Sequence, residues 1–383
     1  HTYSPWDYRL YPLEQVNFQN TQNPSPKNTP PRQGKRRFAS FNLWNFFTTM
    51  DVKGNPGAGP NDLEPRGADN GEEFVKQYKK LLSALQFLDA DVIGLCELEN
   101  NYDQVGNSAI ETLARGLNFA RDLDPNKATF AVAHPPRPYV DPSDSISSGI
   151  LYNQELYKVA EGGKVAILDD KALRSLPQET LEAFGIDPKK NTFSGPNSNR
   201  AVIAVTLEDR ETGELTTFVQ LHLKSRRGKG AKGEDRDMKD GQSAYAATRG
   251  RGARAISAWL STDPTGVASE RVIVAGDFNA YPKESPYQEF EKNGFTNPAS
   301  AEDYSYNFDA QLGLLDGVET KGFNPDHIHC QAVDINMVSG FFDYNDEYKE
   351  NDKNFRPDKY RSSDHNPLLV DFGPVKTEQA EAV

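Results

Sequence analysis

Apolar and polar positions along the chain follow two spacings, one typical of strands and the other of helices. Phe38–Leu43 alternates with the period of a half-buried strand. Apolar residues from Phe74 to Leu88 recur three and four positions apart, which predicts an amphipathic helix. The apolar run Val92–Leu98 then predicts a buried strand. The predicted fold therefore begins with a strand, a helix and a second strand.

The alternation continues to the end of the chain. Two further helices are predicted, around Ile110–Leu117 and at Ser243–Leu260. Further strands are predicted at Gly149–Tyr152, Ala201–Leu207, Leu215–Leu223, Arg271–Ala275, Val333–Val338 and Leu368–Phe372. The turn signal Glu211-Thr212-Gly213 joins two of them as a hairpin. Hairpins mixed with helices predict an α/β (α+β) fold with mixed rather than purely parallel sheets.

Composition divides the chain into three parts. Residues 1–35 are mostly polar with several prolines, which predicts an extension or linker. Residues 36–374 carry the periodic pattern and are expected to form one large domain. Residues 375–383 are expected to form a frayed acidic tail.

The chain has 56 acidic and 43 basic residues and a formal net charge of -13. This balance excludes a uniformly basic nucleic-acid-binding surface but leaves room for a local basic groove. No apolar run approaches the roughly 20 residues that cross a bilayer, so no membrane span is expected. Two cysteines cannot build a disulfide framework, and Cys96, in an apolar run, is expected to be a buried thiol. A chain that begins at His1 is expected to be processed or truncated, which leaves secretion open.

Several polar side chains stand where predicted strands end, which is where α/β folds place ligand sites. Asn42 lies near the end of the first strand, and Glu97 closes the second after five apolar residues. Such a carboxylate costs free energy unless it is paired or bound to a metal, although a simple strand-end cap gives the same pattern. His222 is either a satisfied core histidine or a catalytic group. Arg200 can clamp a phosphate or form a surface ion pair.

Two loops carry neighbouring polar side chains. Asp277 and Asn279 can turn toward one centre, although an Asx turn has the same signature. Asp364 and His365 precede the last strand, where the carboxylate can face a metal and the imidazole a phosphate. Asp316 is a candidate to hold that imidazole in one tautomer.

A basic stretch follows His222 directly. It contains Lys224, Arg226, Arg227, Lys229, Lys232 and Arg236, with four acidic residues mixed in. It is either a solvated loop or an arm that contacts a phosphate backbone. Arg249, Arg251 and Arg254 on the next predicted helix would extend such an arm.

Taken in order, these residues give the chain a resemblance to the endonuclease/exonuclease/phosphatase superfamily, which includes pancreatic-type deoxyribonucleases and abasic-site endonucleases. The resemblance covers about residues 36–373 and is greatest to the bacterial extracellular nuclease branch. The segments that carry it are Phe38-Ala39-Ser40-Phe41-Asn42, Arg66-Gly67-Ala68-Asp69, Leu88-Asp89-Ala90-Asp91-Val92-Ile93-Gly94-Leu95, Glu97-Leu98-Glu99-Asn100-Asn101, His222-Leu223-Lys224-Ser225, Gly276-Asp277-Phe278-Asn279-Ala280, Tyr304-Ser305-Tyr306, Gly313-Leu314-Leu315-Asp316 and Ser363-Asp364-His365-Asn366-Pro367. The ordered set is specific, whereas no single segment is.

The resemblance implies a four-layer α/β sandwich, with two packed mixed β-sheets flanked by helices. It implies a Mg²⁺ or Mn²⁺ site at Asn42, Glu97 and Asp364 and leaves room for an additional Ca²⁺ ion. Asp277 and Asn279 match the pair that binds the attacked phosphate, or a second ion, and prepares the nucleophile.

The resemblance also implies roles for the remaining polar residues. His222 and His365 match two phosphate-facing histidines, and Asp316 matches the partner of the second. Either Asp277, or His365 with Asp316, would activate the water. The residues matched to, or expected in, substrate binding are Arg200, Lys224, Arg226 and Arg227.

The resulting expectation is a divalent-metal-dependent phosphodiesterase. More finely, we expect a secreted or periplasmic, monomeric, sugar-non-specific endonuclease that hydrolyses DNA by in-line attack of water, with RNA left open as a second substrate. One alternative is a phosphatase or phosphodiesterase acting on small phosphoesters or lipid head groups, for which Phe341-Phe342 is the candidate membrane contact. The other is a non-catalytic binding module, which the presence of the complete residue set disfavours.

Departures from the branch bear on substrate preference. Gly317 stands where a histidine usually follows the Leu-Asp pair. Pro65 stands where a cysteine often precedes Arg-Gly-Ala, and no cysteine lies near Gly241-Gln242, so that disulfide is absent. The segment Lys321–Gln331, with two histidines, has no clear counterpart. Residues 1–18 resemble the end of a preceding β-rich domain.

Overall fold

The computed structural model describes residues 13, 26–52, 63–121, 130–136, 139–141, 144–195, 197–308, 311–337, 344 and 355–373. The expectations for most of residues 1–25, for the tail at 375–383 and for Phe341-Phe342 lie outside this described part.

The strands in chain order are β1 (Arg36–Phe46), β2 (Val92–Glu99), β3 (Phe130–Val132), β4 (Ile146–Asn153), β5 (Tyr157–Val159), β6 (Ala166–Leu168), β7 (Val202–Asp209), β8 (Leu215–His222), β9 (Arg271–Asp277), β10 (Tyr306–Phe308), β11 (Gln311–Gly313), β12 (Asp316–Lys321), β13 (Ile328–Ala332) and β14 (Leu368–Phe372). The α-helices are α1 (Gly71–Leu88), α2 (Ala109–Arg121), α3 (Asp170–Arg174), α4 (Gln178–Ala183), α5 (Ala246–Leu260) and α6 (Ser285–Lys292). Single 3₁₀ turns lie at Gly233–Asp235 and Pro325–His327.

The strands form two large mixed sheets. The first has the order β13-β14-β1-β2-β4-β3, and the second has the order β12-β9-β8-β7-β5, with β6 also paired to β7. Each sheet has one parallel pair near its centre, β1 with β2 and β8 with β9. The remaining pairs are antiparallel, as the hairpin signal between β7 and β8 predicted. β10 and β11 form a separate two-stranded ribbon.

Three buried clusters show how the layers stack. Between the sheets, Phe38 of β1 packs edge-on against Phe218 of β8, with ring centroids 5.3 Å apart. Apolar residues of α1 and α2, such as Leu85, cover the outer face of the first sheet. Apolar residues of α5 and α6, such as Trp259 and Phe290, cover the outer face of the second. The order helix, sheet, sheet, helix confirms the predicted four-layer sandwich.

Local signals at both ends set the bounds of α1. The Asn70 side chain caps the helix by accepting a hydrogen bond from the amide of Glu73 at 3.0 Å. The helix ends at Asp89, whose φ of 48° is left-handed and cannot continue it.

Two predicted bounds are wrong. The strand predicted at Val333–Val338 is displaced, because the pairing with β14 involves β13 instead and ends at Ala332. Residues 333–337 leave the sheet, and the Asn336 side chain accepts from the Ser362 amide in the loop before β14. Helix α5 starts three residues later than predicted, because Tyr245 has a left-handed φ of 62°.

Candidate active site

The site forms at one end of the sandwich, where strands of both sheets stop. His222 at the end of β8 stands opposite Asp277 at the end of β9. Asp316, the first residue of β12, pairs with Asp277 from the other side. This close pairing depends on Gly276, whose φ is +144° and where a Cβ would lie 2.0 Å from the Leu221 carbonyl oxygen. The register therefore brings three of the predicted residues side by side.

The first sheet contributes Asn42 and Glu97. Asn42 pairs with Cys96, so Glu97 follows at the same edge, where the β1–β2 register shifts. Glu97 has a left-handed φ of 59°, a strained conformation for a non-glycine residue that is enriched at functional sites. The amide of Asn45 holds the carboxylate by donating to Glu97 Oε2 at 3.0 Å.

Asp277 is the centre of the site and joins the two sheets. Its Oδ2 accepts from Asn42 Nδ2 at 3.2 Å and lies 3.3 Å from His222 Nε2. Its Oδ1 accepts from the Asn279 amide at 2.8 Å. Burial opposes ionisation, but the hydrogen bond and charge of His222 and the charge of His365 lower the pKa of Asp277 to about 2. Asp277 is therefore an ionised carboxylate across the physiological range.

His365 is held by its own carboxylate. Its Nδ1 lies 2.6 Å from Asp316 Oδ2, and its Nε2 lies 4.0 Å from Asp277 Oδ2. Burial favours the neutral ring, but the charges of the neighbouring carboxylates, Asp316 first and then Asp364, together with the hydrogen bond to Asp316, outweigh burial and raise the pKa of His365 well above its ordinary value. The Ser305 hydroxyl accepts a hydrogen bond from the Asp316 amide at 2.9 Å. The Tyr306 ring packs on the imidazole, with ring centroids 4.7 Å apart. The imidazole is thus fixed in one orientation with Nε2 facing Asp277.

Asp364 completes the acidic part of the site. Its Oδ1 is buried and has no hydrogen-bond partner in the described part of the chain. Burial, together with the charges of Glu97 and Asp277, raises the pKa of Asp364 to about 7, against the opposing effect of His365. A cation would satisfy this oxygen and relieve the repulsion among the carboxylates.

The residues present fit a divalent cation. Within the described residues, no three His, Cys, Asp or Glu side chains converge closely enough to hold a metal ion on their own. Mg²⁺, however, is commonly bound through one or two carboxylates together with water and substrate phosphate. Glu97, Asp364 and the amide oxygen of Asn42 match that donor set. The same observation gives no separate three-ligand site for an additional Ca²⁺ ion in the described residues.

Cationic side chains lie on one side of the carboxylates. Arg200 donates to Asp144 at 2.9 Å, and Arg66 reaches the other oxygen of Asp144 at 3.1 Å. Burial lowers the pKa of Arg200, but the charges of Asp144 and Glu97 outweigh it and raise that pKa, which places Arg200 within electrostatic reach of the site. Lys224 is half-buried, and burial together with the charge of Arg200 lowers its pKa. These three cations form a positive margin to the site.

Arg226 is predicted to bind substrate, but the contacts of its guanidinium are made within the protein. Its Nη1 donates to both oxygens of Glu284, at 2.8 and 2.7 Å, and its Nη2 donates to Ser243 Oγ at 3.0 Å. Its guanidinium lies over the Tyr281 ring, 4.8 Å from the centroid. Arg226 therefore ties the basic stretch to the helical layer, whereas Arg227 is exposed.

The arginines expected to extend the arm are also used within the protein. Arg249 is fully buried and donates to the Ala244 carbonyl at 2.8 Å. Arg251 pairs with Glu234, and Arg254 pairs with Glu289. Helix α5 therefore adds little free positive charge, which corrects that part of the expectation.

Some residues at the site were given no role by the sequence patterns. Tyr306 packs on the imidazole, and Ser363 donates to the Asn42 carbonyl at 2.6 Å, which fixes the loop before β14 to β1. Arg66 stood in the Arg-Gly-Ala-Asp segment, so the motif signalled it without identifying its partner. A Cβ at Gly317 would lie 2.3 Å from the Tyr287 hydroxyl, so this packing leaves no room for the histidine that the branch usually shows there.

Comparisons with known proteins identify the family of this chain. A family model described as "Endonuclease/Exonuclease/phosphatase family" matches residues 39–365. A search of curated protein sequences finds no match to the chain. The chain belongs to the endonuclease/exonuclease/phosphatase family, whose members are hydrolases that act on phosphoesters and generally use divalent metals.

Solved structures show the same fold at low sequence identity. An endonuclease/exonuclease/phosphatase family protein from Bacteroides thetaiotaomicron has 15% identity and a TM-score of 0.50, covering 88% of this chain and 96% of that chain. A family protein from Leptotrichia buccalis has 12% identity and a TM-score of 0.50, covering 88% and 100%. A mannosyl-6-phosphatase from Bacteroides thetaiotaomicron has 16% identity and a TM-score of 0.49, covering 88% and 98%.

Proposed function

We propose that this member of the family is a divalent-metal-dependent phosphodiesterase, and more finely a secreted endonuclease that cleaves DNA and accepts RNA. The observation that carries the proposal is the buried group around Asp277. Two histidines, two further carboxylates and an amide meet there from both sheets, beside a carboxylate oxygen that accepts no hydrogen bond from the described residues. A structural core has no need for such a concentration of ionisable groups, whereas phosphoester hydrolysis does.

Glu97, Asp364 and Asn42 would hold Mg²⁺ or Mn²⁺. When bound, the ion supplies neutralisation of charge on the phosphate and on the leaving oxygen. The protein residues around it position the ligand oxygens in advance, because Glu97 is fixed by the amide of Asn45 and Asn42 by the amide of Trp44 at 3.1 Å.

The remaining polar residues divide into an acceptor and two donors. Asp277 is ionised and can orient the attacking water by accepting its hydrogen bond. His365 and His222 can donate hydrogen bonds to the phosphate oxygens on which charge grows. In His365 the Nδ1 atom is held by Asp316, so Nε2 is the atom that would donate. The geometry therefore favours Asp277 over the His365–Asp316 pair as the group that directs the water.

The positive margin favours a polymeric substrate over a small phosphoester. Arg66 and Arg227 are exposed, and the half-buried Lys224 follows His222 by two residues. A polynucleotide brings further phosphates to such a margin, which a small phosphoester does not.

Secretion and a monomeric state belong to the same proposal, since the net charge of -13 suits a protein that stays soluble and unassociated. Recovery from the culture medium of its host and the mass in solution test those two points.

The test of the function is a substrate panel with Glu97→Gln. Circular plasmid, linear duplex, RNA, the diester bis(nitrophenyl) phosphate and the monoester nitrophenyl phosphate are digested side by side, with Mg²⁺ and with chelator. We expect plasmid nicking that chelator abolishes, and a loss of about 10²-fold or more in Glu97→Gln because the charge is removed at constant shape. Glu161→Gln, an exposed change of the same kind, is the control.

Two outcomes would contradict the proposal. Near-parental turnover by a folded Glu97→Gln enzyme would reject the metal assignment. Release of phosphate from small monoesters without cleavage of any polynucleotide would identify a phosphatase instead, which is the alternative function.

No helix among the described residues is both long and apolar enough to cross a membrane.

A further inference from the structure

A cavity of about 210 Å³ lies beside the active site and has no role in the chemistry described above. It is lined by the end of β1, by the Arg-Gly-Ala-Asp segment and by the first turns of α1, with Trp44, Asn45 and Gln77 among the lining residues. Asn45 joins it to the site, because its amide holds Glu97. A nucleotide bound at the site therefore has this cavity as a neighbour.

The cavity wall consists largely of hydrogen-bond acceptors. Asp51, Asp69 and Glu73 line it, and burial together with the charges of Asp69 and Glu64 raises the pKa of Asp51. Gln77 is only 3% exposed and adds another acceptor. Its Nε2 is turned toward the Trp44 and Asn45 carbonyls at 3.2 and 3.4 Å, and its Oε1 has no hydrogen-bond partner within the described residues. A buried acceptor without a partner costs free energy, so a ligand whose N–H donor reached this oxygen would be stabilised here.

The lining of the cavity distinguishes between two kinds of ligand, a single metal ion and a planar group with N–H donors. A single metal ion needs converging carboxylates, and no three acidic, histidine or cysteine side chains in the described residues converge in that way. A planar group with several N–H donors instead spans a wide cavity. Trp44 and Tyr344 line the cavity as well, with ring centroids 5.9 Å apart, and offer aromatic contact to such a group.

One residue that lines the cavity, Arg66, is cationic. Arg66 lies on the cavity and pairs with Asp144, which in turn pairs with Arg200 beside the catalytic carboxylates. The cavity lining thus combines one cation, which is linked through Asp144 to the site, with several acceptors. That combination matches a nucleotide, whose phosphate is anionic and whose base can carry N–H donors.

We propose that this cavity is a base-binding subsite for the nucleotide next to the scissile phosphate, and that it prefers guanine. Guanine presents N1–H and N2–H donors side by side on one edge, which a carboxylate can accept together. Thymine and uracil place carbonyl oxygens on both sides of their single N–H and are repelled by the same wall. The proposal rests on the proposed nuclease function and adds a substrate preference to it.

Cleavage mapping on thymine-rich single strands with one central guanine tests the proposal. We expect cuts beside the guanine to exceed cuts at equivalent thymines by about tenfold, the discrimination typical of one good bidentate pair. Hypoxanthine in place of guanine removes only the 2-amino group and should lower the ratio. The double variant Asp51→Asn with Asp69→Asn should bring the ratio close to one, whereas Asp103→Asn, an exposed control, should leave it unchanged. Equal cutting at guanine, hypoxanthine and thymine by the parent would overturn the subsite.

Calorimetric titration with dGMP and dTMP in chelator gives a readout that needs no turnover. Tighter binding of dGMP than dTMP by the parent, reduced in the double variant, supports the subsite even if the parent cuts no polynucleotide, which would be a failure of the proposed function alone. Equal binding of both nucleotides overturns the subsite. A separate titration with Ca²⁺ alone, in buffer without chelator, tests the other occupant: binding that disappears in the double variant would overturn the subsite, since the cavity would then be a cation site.

Discussion

Replacing Glu319 by glutamine should stabilise the protein at neutral and alkaline pH. Glu319 lies on β12 with a relative exposure of 1%, and its Oε2 has no hydrogen-bond partner among the described residues. Burial, and then the charge of Glu291, raises its pKa from 4.5 to about 8. The folded chain therefore keeps a proton on this side chain at pH values where the unfolded chain has lost it.

The sign and size of the effect follow from these two pKa values. Between pH 4.5 and about 8 the folded state binds more protons than the unfolded state, so stability falls as the pH rises. Each pH unit in this window costs about 1.4 kcal/mol, which amounts to about 3 kcal/mol by pH 7 and about 5 kcal/mol above pH 8. The amide of Glu319→Gln cannot ionise, so this loss disappears. Whatever the buried amide itself costs is the same at every pH.

Urea unfolding followed by circular dichroism at pH 5, 6, 7 and 8 measures the difference. The free energy of unfolding of Glu319→Gln, relative to the parent, should rise steadily across this series. Glu302→Gln, on an exposed turn, should show no such trend. A difference between Glu319→Gln and the parent that is constant from pH 5 to pH 8 would refute the reasoning, because it would mean that Glu319 ionises normally in the folded protein.

Four further results are expected from the active site and its margin. Asp316→Asn removes the carboxylate 2.6 Å from His365 and should lower kcat by about 10²-fold with a smaller change in KM; a parental kcat would show that the pair is only structural. His222→Ala should lower kcat by about 10²- to 10³-fold, more than it weakens substrate binding measured without metal, and equal losses in both would contradict a transition-state role. Activity on duplex DNA should hold or rise from low to moderate salt, as repulsion from the net charge of -13 is screened, and fall toward about 1 M. The double variant Arg227→Ser with Lys229→Ser should be slower than the parent on duplex DNA at low salt, and equal rates at every salt concentration would show that these exposed residues do not contact the substrate.

Strand-end residues could be predicted from the sequence because local pattern and position coincide there. Glu97 and Asp277 each follow a run of apolar residues, and the end of a strand fixes where such a side chain stands. The family resemblance added their order along the chain. Together these signals located the residues that the structure brings to Asp277, whereas their catalytic roles stay predictions.

Features that depend on partners distant in the sequence could not be predicted in this way. The pairing of Arg226 with Glu284 joins residues 58 positions apart, and no local pattern distinguishes a paired arginine from a free one. The strand expected at Val333–Val338 failed for the same reason, because the neighbour in the sheet and not the apolar pattern decides which residues pair. The cavity beside Trp44 likewise arises from segments that meet only in the folded chain.

The acidic part of the site is held between two separately packed sheets. Burial, together with the charges of Glu97 and Asp277, raises the pKa of Asp364, so these carboxylates repel one another in the free protein. Such an arrangement costs stability in the absence of a cation, so the strands that carry it must be held by other contacts. The apolar layer between the sheets and the helical layers outside them supply these contacts away from the site. The carboxylates can therefore stay close together, and a divalent cation that binds them gains the free energy that their repulsion costs the free protein.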